Sequence, residues 1–429
     1  MLQAARWTEF PKYPVVAGTA LLAIGVSLAS WVGWDISRLA ENGMIRHGQL
    51  WRLITSIFPH GNFLHLVFNI YWLWIFGATL EKVFGHLRTA ALVLLFAIIP
   101  NALEYAFSVG GIGLSGVGYG MFGLLWILSR HDDRFQESMD SRTIQLFVLW
   151  FFFCIFMTLA NVMQIGNIAH GTGAVVGFLT GYAITLPERR TTIVAGLGVV
   201  LAFSLWSATA GRPQVNLSAY ASYDECKLGY DAMQAKRSDE ALQWFLAAAG
   251  YRHNQPACQT DLGFAYHAVG KMAESLAAYR KAAEMGDPDS QFYMAGIYAT
   301  GESGIAKDAK QASLWYRKAA ESDSADVLNN VAWALATSED PDIQDPNAAL
   351  IYAQRAVNTE HGNPRAFILD TLAQAYYVNK QYENALNTER RAMGVASPEE
   401  KEKYKTQLEV YRSALGDQKS PKPRHVRSK

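Results

Sequence analysis

The chain has 429 residues, half of them hydrophobic, and a formal net charge of zero. Its composition changes near residue 210: long uncharged segments come before this point, and alanine-rich, charged sequence follows. The uncharged segments exclude a wholly water-soluble protein, because about 20 apolar residues form a helix that spans a bilayer. The balanced charge gives no reason to expect a nucleic-acid partner.

The first half of the chain is predicted to form seven membrane-spanning helices. The first apolar run is too long, and too poor in small-residue cleavage signals, to be a signal peptide. Residues 143–187 contain no Asp, Glu, Lys or Arg, so this run must hold two spans, broken near 163–167. The predicted spans are 14–34, 63–81, 89–108, 112–129, 144–163, 167–187 and 191–208.

The basic residues that flank these spans predict their orientation. Nine Lys and Arg residues lie on one side and three on the other. The basic side is normally cytoplasmic, which places residues 1–13 in the cytoplasm. An odd number of spans then places everything after residue 210 outside. We therefore expect an integral protein of a bacterial inner membrane, with a periplasmic C-terminal half.

The C-terminal half is predicted to be a helical repeat. Gly229, Gly263 and Gly296 recur at intervals of 34 and 33 residues. A period in the mid-thirties is typical of paired-helix solenoids. The segment resembles the tetratricopeptide family, and its third unit resembles the related Sel-like type. Such solenoids bind peptides or proteins in a concave groove, although a folded spacer without a ligand stays an alternative.

The boundaries of this half follow from the repeat. Five units are predicted over 223–400, and a capping helix at 401–415 completes a repeat domain over 223–415. Residues 211–222 are expected to be a short flexible linker. The tail 416–429 lacks apolar periodicity and is expected to be disordered and basic.

The three cysteines do not form a disulfide framework. Cys154 lies in a predicted span, and Cys226 and Cys258 lie beyond the spans. A bridge between Cys226 and Cys258 is an alternative on the oxidising side. Two buried free thiols are the expectation.

Four polar residues are predicted to lie at one depth in the membrane. Spans 2, 4 and 6 run in the same direction, so their first turns share a layer near the outer surface. This layer contains His65, Asn69, Ser115 and His170. A single polar residue in a membrane usually serves helix packing. Four at one depth indicate function, because polar groups are costly there.

Spacing within the helices supports a catalytic pair. Ser115 and Tyr119 are four residues apart and share a helix face. Gly116 on span 4 and Gly173 on span 6 belong to small-residue strips, which let helices approach closely. A neutral histidine that accepts the proton of a serine makes it a nucleophile. Glu104 is expected to lie outside the layer, so a Ser115–His170 dyad without an acidic third member is predicted.

The motifs that carry these residues resemble those of the rhomboid intramembrane serine proteases. "HGNFLHLVFN", "GATLE", "GLSGVGYGMFG" and "AHGTGAVVGF" occur in the family's order, after "WR" at 51–52. The resemblance covers about residues 14–187 and implies a six-helix protease core, with a seventh transmembrane helix in 188–210. It implies that Ser115 is the nucleophile and His170 the base.

The same resemblance implies the supporting residues and the partners. His65 and Asn69 match the oxyanion donors, Tyr119 the tyrosine that packs on the catalytic histidine, and Gly113 and Gly116 the glycines of GxSG. It implies single-span membrane proteins as substrates, cleaved in or near the bilayer, with no cofactor and no metal.

Two other classes of function remain as alternatives. A catalytically inactive rhomboid-like scaffold would bind membrane clients, but such relatives lose the serine or the histidine, and both are present here. A transporter would carry a polar site at the midplane and an inverted repeat. Neither feature is visible in this sequence. The prediction is an all-α protein that joins a polytopic membrane bundle to an α-solenoid.

Overall fold

The computed structural model describes residues 7–252, 255–302 and 304–419, and this part of the chain is helical, without a β-strand. The chain divides into two compact units. Unit 1 comprises Met1–Leu228 and Ala247–Gln255, and unit 2 comprises Gly229–Leu246 and Pro256–Lys429. The predicted all-α fold is confirmed.

Every predicted span corresponds to helical structure in unit 1. The segment Phe63–Phe84 is one apolar helix in which a π-helical turn, Leu73–Gly77, joins α3 to α4. The helices up to residue 215 are α1 (Pro14–Trp31), α2 (Arg52–Thr55), α3 (Phe63–Trp72), α4 (Ala78–Phe84), α5 (His86–Phe107), α6 (Ser115–Ser129), α7 (Ser141–Leu159), α8 (Asn167–Thr185), α9 (Arg190–Ala208) and α10 (Arg212–Val215).

Five helices in the described part of the chain are long and apolar enough to cross a membrane. They are Pro14–Trp31, Phe63–Phe84, His86–Phe107, Ser141–Leu159 and Pro187–Ala208. The helix α6 is apolar but has only 15 residues, and α8 is not among the five. Seven crossings therefore stay a prediction.

Helices α6 and α8 pack with their backbones in contact. A Cβ atom built on Gly173 of α8 would lie 2.5 Å from the carbonyl oxygen of Gly116 in α6. Cβ atoms on Gly123 and Gly177 would likewise overlap backbone atoms of the facing helix. The small-residue strips thus do what their spacing predicts. They bring the helix that begins at Ser115 against the helix that carries His170.

Residues 211–222 are folded within unit 1. Arg212 at the start of α10 is 1% exposed. Its guanidinium donates hydrogen bonds to the carbonyl oxygens of Tyr105, Ser108 and Ala221 and to the Tyr251 hydroxyl. A buried cation with this many partners fixes the segment. The expectation of a flexible chain at 211–222 is wrong.

The C-terminal half consists of five helix pairs followed by one further helix, as the repeat predicts. Gly229 and Gly263 face the rings of Phe245 and Tyr279, whereas Gly296 faces open space. The helices are α11 (Tyr223–Gln234), α12 (Ser238–Ala249), α13 (Pro256–Ala268), α14 (Met272–Glu284), α15 (Pro288–Thr300), α16 (Ala309–Ala319), α17 (Ala325–Thr337), α18 (Pro346–Thr359), α19 (Ala366–Val378), α20 (Tyr382–Val395) and α21 (Lys401–Lys419).

Two smaller expectations are corrected. The last helix continues to Lys419, so residues 416–419 are helical and not disordered; residues 420–429, like 1–6 at the N-terminus, lie outside the described residues. Cys154 is a buried free cysteine, whereas Cys226 and Cys258 are each disulfide-bonded. The expectation of free thiols at the last two positions is wrong.

Candidate active site

Ser115 is the first residue of α6 and is half-buried. The first N–H groups of an α-helix have no acceptor within the helix. The backbone N–H of Ser115 therefore lies at the positive end of the helix dipole. Ser115 thus offers both a side-chain hydroxyl and a backbone hydrogen-bond donor.

The chain before Ser115 is held by backbone hydrogen bonds. Gly113 adopts a φ of +108°, a conformation that favours glycine. Its N–H donates to the carbonyl oxygen of Ser56 at 2.9 Å. The next N–H, of Leu114, donates to Nε2 of His60 at 3.3 Å. These contacts fix the approach to the serine.

His60 was not among the predicted site residues, although it begins the "HGNFLH" motif. It is buried, and its Nδ1 lies 2.9 Å from the carbonyl oxygen of Phe58. Because Nε2 accepts from Leu114, the proton belongs on Nδ1, which donates to Phe58. Burial, and then the neighbouring His65, lower the pKa of His60 to about 4. A neutral ring is what the Leu114 contact requires.

A buried carboxyl group from the first loop also holds the glycine-rich segment. Oε2 of Glu41 accepts a hydrogen bond from the N–H of Gly111 at 2.8 Å, and Oε1 accepts from the Ser56 hydroxyl at 3.3 Å. Burial raises the pKa of Glu41 well above its ordinary value. Glu41 is not among the predicted site residues.

His170 lies on α8 and is 4% exposed. Its ring stacks on Tyr119, with centroids 4.6 Å apart and planes inclined by 28°. In the structure Tyr119 thus lies beside the histidine ring. In the described part of the chain, Nδ1 of His170 has no hydrogen-bond partner, and the ring makes no hydrogen bond to the Ser115 hydroxyl within 3.5 Å.

His65 and Asn69 share a face of α3. The His65 ring meets His60 edge-on, with centroids 4.8 Å apart. A Cβ on Gly113 would lie 3.0 Å from Nε2 of His65. Asn69 is 7% exposed, and in the described structure its Nδ2 has no hydrogen-bond partner. A buried amide donor without a partner is unusual in a folded protein.

Glu104 lies closer to the site than expected. Its Oε2 accepts a hydrogen bond from the backbone N–H of Ala169 at 2.9 Å. The expectation that Glu104 lies outside the layer is wrong, because its side chain reaches the first turn of α8. It meets the backbone there and not the ring of His170.

Comparison with known proteins agrees with this geometry. The family model of the Rhomboid domain matches residues 47–187. These residues form a rhomboid domain.

Among the described residues, no group of three or more His, Cys, Asp and Glu side chains could hold a metal ion.

Two relatives of the rhomboid domain are both named rhomboid protease GlpG. The protein of Yersinia pseudotuberculosis serotype I is 27% identical over 172 residues, which are 40% of this chain and 59% of that protein. The protein of Salmonella paratyphi A is 27% identical over 180 residues, which are 42% of this chain and 62% of that protein. The chain thus spans about three fifths of the length of these relatives.

One solved structure to which the chain is similar is that of a repeat protein. The crystal structure of a Sel1 repeat protein from Oxalobacter formigenes is 24% identical and covers 45% of this chain and 88% of that chain, with a TM-score of 0.33.

Proposed function

We propose that the rhomboid domain is an intramembrane serine endopeptidase that cleaves single-span membrane proteins within or near their transmembrane segments. One observation carries the proposal. The Tyr119 ring, one turn below Ser115 on α6, stacks on His170, so the serine and the histidine belong to one packed unit. The relatives that are named proteases support the same reading.

In this proposal Ser115 and His170 act as a dyad. Neutral His170 takes the proton from the Ser115 hydroxyl as the oxygen attacks the scissile carbonyl, and it later gives that proton to the leaving amine. Tyr119 and the burial of His170 fix the plane of the ring. Catalytic hydrogen bonds are often long without substrate and shorten when it binds.

The tetrahedral intermediate needs donors for its oxyanion. Three candidates are the backbone N–H of Ser115, the Nδ2 amide of Asn69 and the ring of His65. The buried amide of Asn69 without a described partner supports this role, because an oxyanion would supply the missing acceptor. Gly113 supports it as well, since its lack of a side chain leaves room for the His65 ring.

A catalytically inactive scaffold that binds membrane clients is the second candidate. The lack of a hydrogen bond within 3.5 Å between Ser115 and His170, in the described structure, favours it. Retention of Ser115, His170, His65 and Asn69 in one chain favours the protease. Both candidates bind membrane proteins, so only turnover separates them.

We propose that the repeat domain lies outside the cytoplasm and recruits substrates or a partner protein. The excess of basic residues on one side of the spans supports this orientation. The disulfide-bonded state of Cys226 and Cys258 supports it too, since disulfides persist in oxidising compartments such as the periplasm.

Cleavage of a reporter protein with one transmembrane segment tests the enzymatic proposal. We expect Ser115→Ala and His170→Ala each to abolish cleavage, and the double variant to be no worse, because the two residues act as a unit. Ser129→Ala, at the other end of α6, is the matched control and should cleave normally. Undiminished cleavage by Ser115→Ala would refute the proposed nucleophile.

Truncation tests the role of the repeats. A chain that ends at Gln255 keeps all of unit 1, and it should still hydrolyse a minimal transmembrane peptide while cleaving full-length clients poorly. A chain that ends at residue 210 loses Arg212 and should be impaired on both substrates. If the Gln255 chain cleaved both substrates as well as the full-length chain does, the repeats would be only a spacer.

A further inference from the structure

The carboxylate of Glu104 in α5 binds the helix that carries His170. Glu104 is 5% exposed, and its Oε2 lies 2.9 Å from the backbone nitrogen of Ala169, the residue directly before His170. Gly166, the N-cap residue of α8, offers no side-chain cap. The first N–H groups of a helix need acceptors from elsewhere. Glu104 therefore caps α8 from a neighbouring helix.

The same carboxylate is connected to the loop that leads to Ser115. Oε1 of Glu104 accepts a hydrogen bond from the Ser108 hydroxyl at 2.7 Å. The Ser108 oxygen in turn accepts from the N–H of Gly110 at 3.0 Å. One carboxylate thus links the chain segment before the nucleophile to the segment before the base.

The contact at Ala169 lies beside the dyad. A Cβ built on Gly116 would lie 3.5 Å from the Cβ of Ala169, so the residue after Ser115 meets the residue before His170. A carboxylate at a helix N-terminus is favoured by the helix dipole and by a charge-assisted hydrogen bond. Loss of this bond lets the first turn of α8 move relative to Ser115.

We propose that Glu104 is a positioning residue for His170, which acts through the backbone N–H of Ala169. The inference rests on the proposed protease function. Glu104 differs from the acid of a catalytic triad, which binds the histidine ring. Among the described residues Nδ1 of His170 has no partner, so the carboxylate fixes the helix and leaves the imidazole without an acidic neighbour.

Glu81 offers a matched control in the same domain. It is 2% exposed, and its two carboxylate oxygens accept hydrogen bonds from the N–H groups of Val15 and Val16, each at 3.0 Å. It therefore caps the first turn of α1, and its Oε1 also contacts Nδ1 of the exposed His86 at 2.6 Å. Like Glu104 it binds the start of a neighbouring helix, but α1 carries no proposed catalytic residue. If Glu104 only stabilises the fold, substitutions of Glu104 and of Glu81 should have the same effect on cleavage per folded site.

The test compares Glu104→Ala, Glu104→Gln and Glu81→Gln in the full-length chain. Steady-state cleavage of a single-span reporter gives kcat and KM, and a fluorophosphonate gives the rate and the endpoint of serine labelling. The endpoint of labelling gives the number of folded sites, and the rate of labelling gives the reactivity of each site. A loss of folded protein is therefore distinguished from a loss of reactivity.

We expect Glu104→Ala to lower kcat and the labelling rate by about 10²-fold, because a displacement of about 1 Å can cost this much. KM should stay within about threefold, since substrate contacts are unchanged. Glu104→Gln keeps an oxygen acceptor for the N–H of Ala169. Its kcat and labelling rate should therefore be at least about tenfold higher than those of Glu104→Ala. Glu81→Gln should lower the melting temperature while kcat per labelled site stays within about threefold of wild type.

Two results would overturn the inference. In the first, Glu104→Ala has the same kcat and labelling rate per site as Glu81→Gln. In the second, KM rises while kcat is unchanged. If either result is found while Ser115→Ala is inactive, only the role of Glu104 is overturned. If Ser115→Ala is active, the proposed function itself is overturned.

Discussion

The close packing of α6 and α8 gives a prediction at the level of a single methyl group. Gly173→Ala adds a Cβ that would lie 2.5 Å from the carbonyl oxygen of Gly116. Ordinary contacts between such atoms lie at about 3.5–4.0 Å. Because the obstructing atom belongs to the backbone, no side-chain rotation can relieve the overlap. The two helices must separate by about 1 Å.

This separation occurs at the proposed dyad. Gly116 follows Ser115, and Gly173 lies one turn after His170 on the same helix. A misplacement of about 1 Å can slow an enzyme by roughly 10²-fold, and overpacking typically costs about 1–3 kcal/mol of stability. We therefore expect cleavage of a single-span reporter to fall by about 10²-fold, with a moderately lower melting temperature.

Gly196→Ala is the control for the added methyl group. Gly196 lies in α9, and a Cβ there would have no atom within 4 Å. The variant should cleave the reporter at the wild-type rate and melt at the same temperature or higher. Wild-type cleavage by Gly173→Ala, measured beside this control, would show that backbone contact between α6 and α8 does not set the geometry of the site.

Three further outcomes follow from the site and its surroundings. Asn69→Ala should slow cleavage by about 10²–10³-fold without lowering the melting temperature, as expected for a lost oxyanion donor; an unchanged rate would exclude that role. In the unfolded chain His60 gains a proton as the pH falls below 6.5, whereas in the folded chain it stays neutral down to about pH 4. Lowering the pH from 6.5 to 4 should therefore lower the free energy of unfolding by up to about 3 kcal/mol. A His60→Gln chain should show a flatter profile, and an equal slope would contradict the neutral ring. Arg212→Met leaves Glu225 buried with fewer partners and should cost about 3–5 kcal/mol in urea unfolding; a loss below about 1 kcal/mol would contradict a structural role of that cation.

The sequence was sufficient to predict the helices and the close contact between the helices that carry Ser115 and His170. Apolar length located the helices, and the four-residue spacing of Ser115 and Tyr119 placed the tyrosine ring one turn below the serine. The contact between Tyr119 and His170 was implied only by the resemblance to the family. Glycine spacing predicted the contact between α6 and α8. These signals are local, because each depends on residue type at a fixed interval along one helix.

Contacts between distant segments were not predictable in this way. Glu104 binds a backbone N–H some 65 positions away, and a backbone donor leaves no signal in the residue type at Ala169. Its position in the predicted span 89–108 sets only the depth of its backbone, whereas its side chain reaches the first turn of another helix. Arg212 lies in the predicted flexible linker 211–222, and nothing in the sequence marks it as buried, because arginines are mostly exposed. Its acceptors are mostly carbonyl groups, which have no sequence signature.

The most direct test of the central claim is to locate the site of fluorophosphonate labelling by mass spectrometry of the full-length protein in membranes. A Ser115–His170 dyad predicts one adduct on Ser115, which should be missing from Ser115→Ala and form far more slowly in His170→Ala. A chain that cleaves its reporter while the adduct forms on a different serine, or on none, would contradict the proposed dyad.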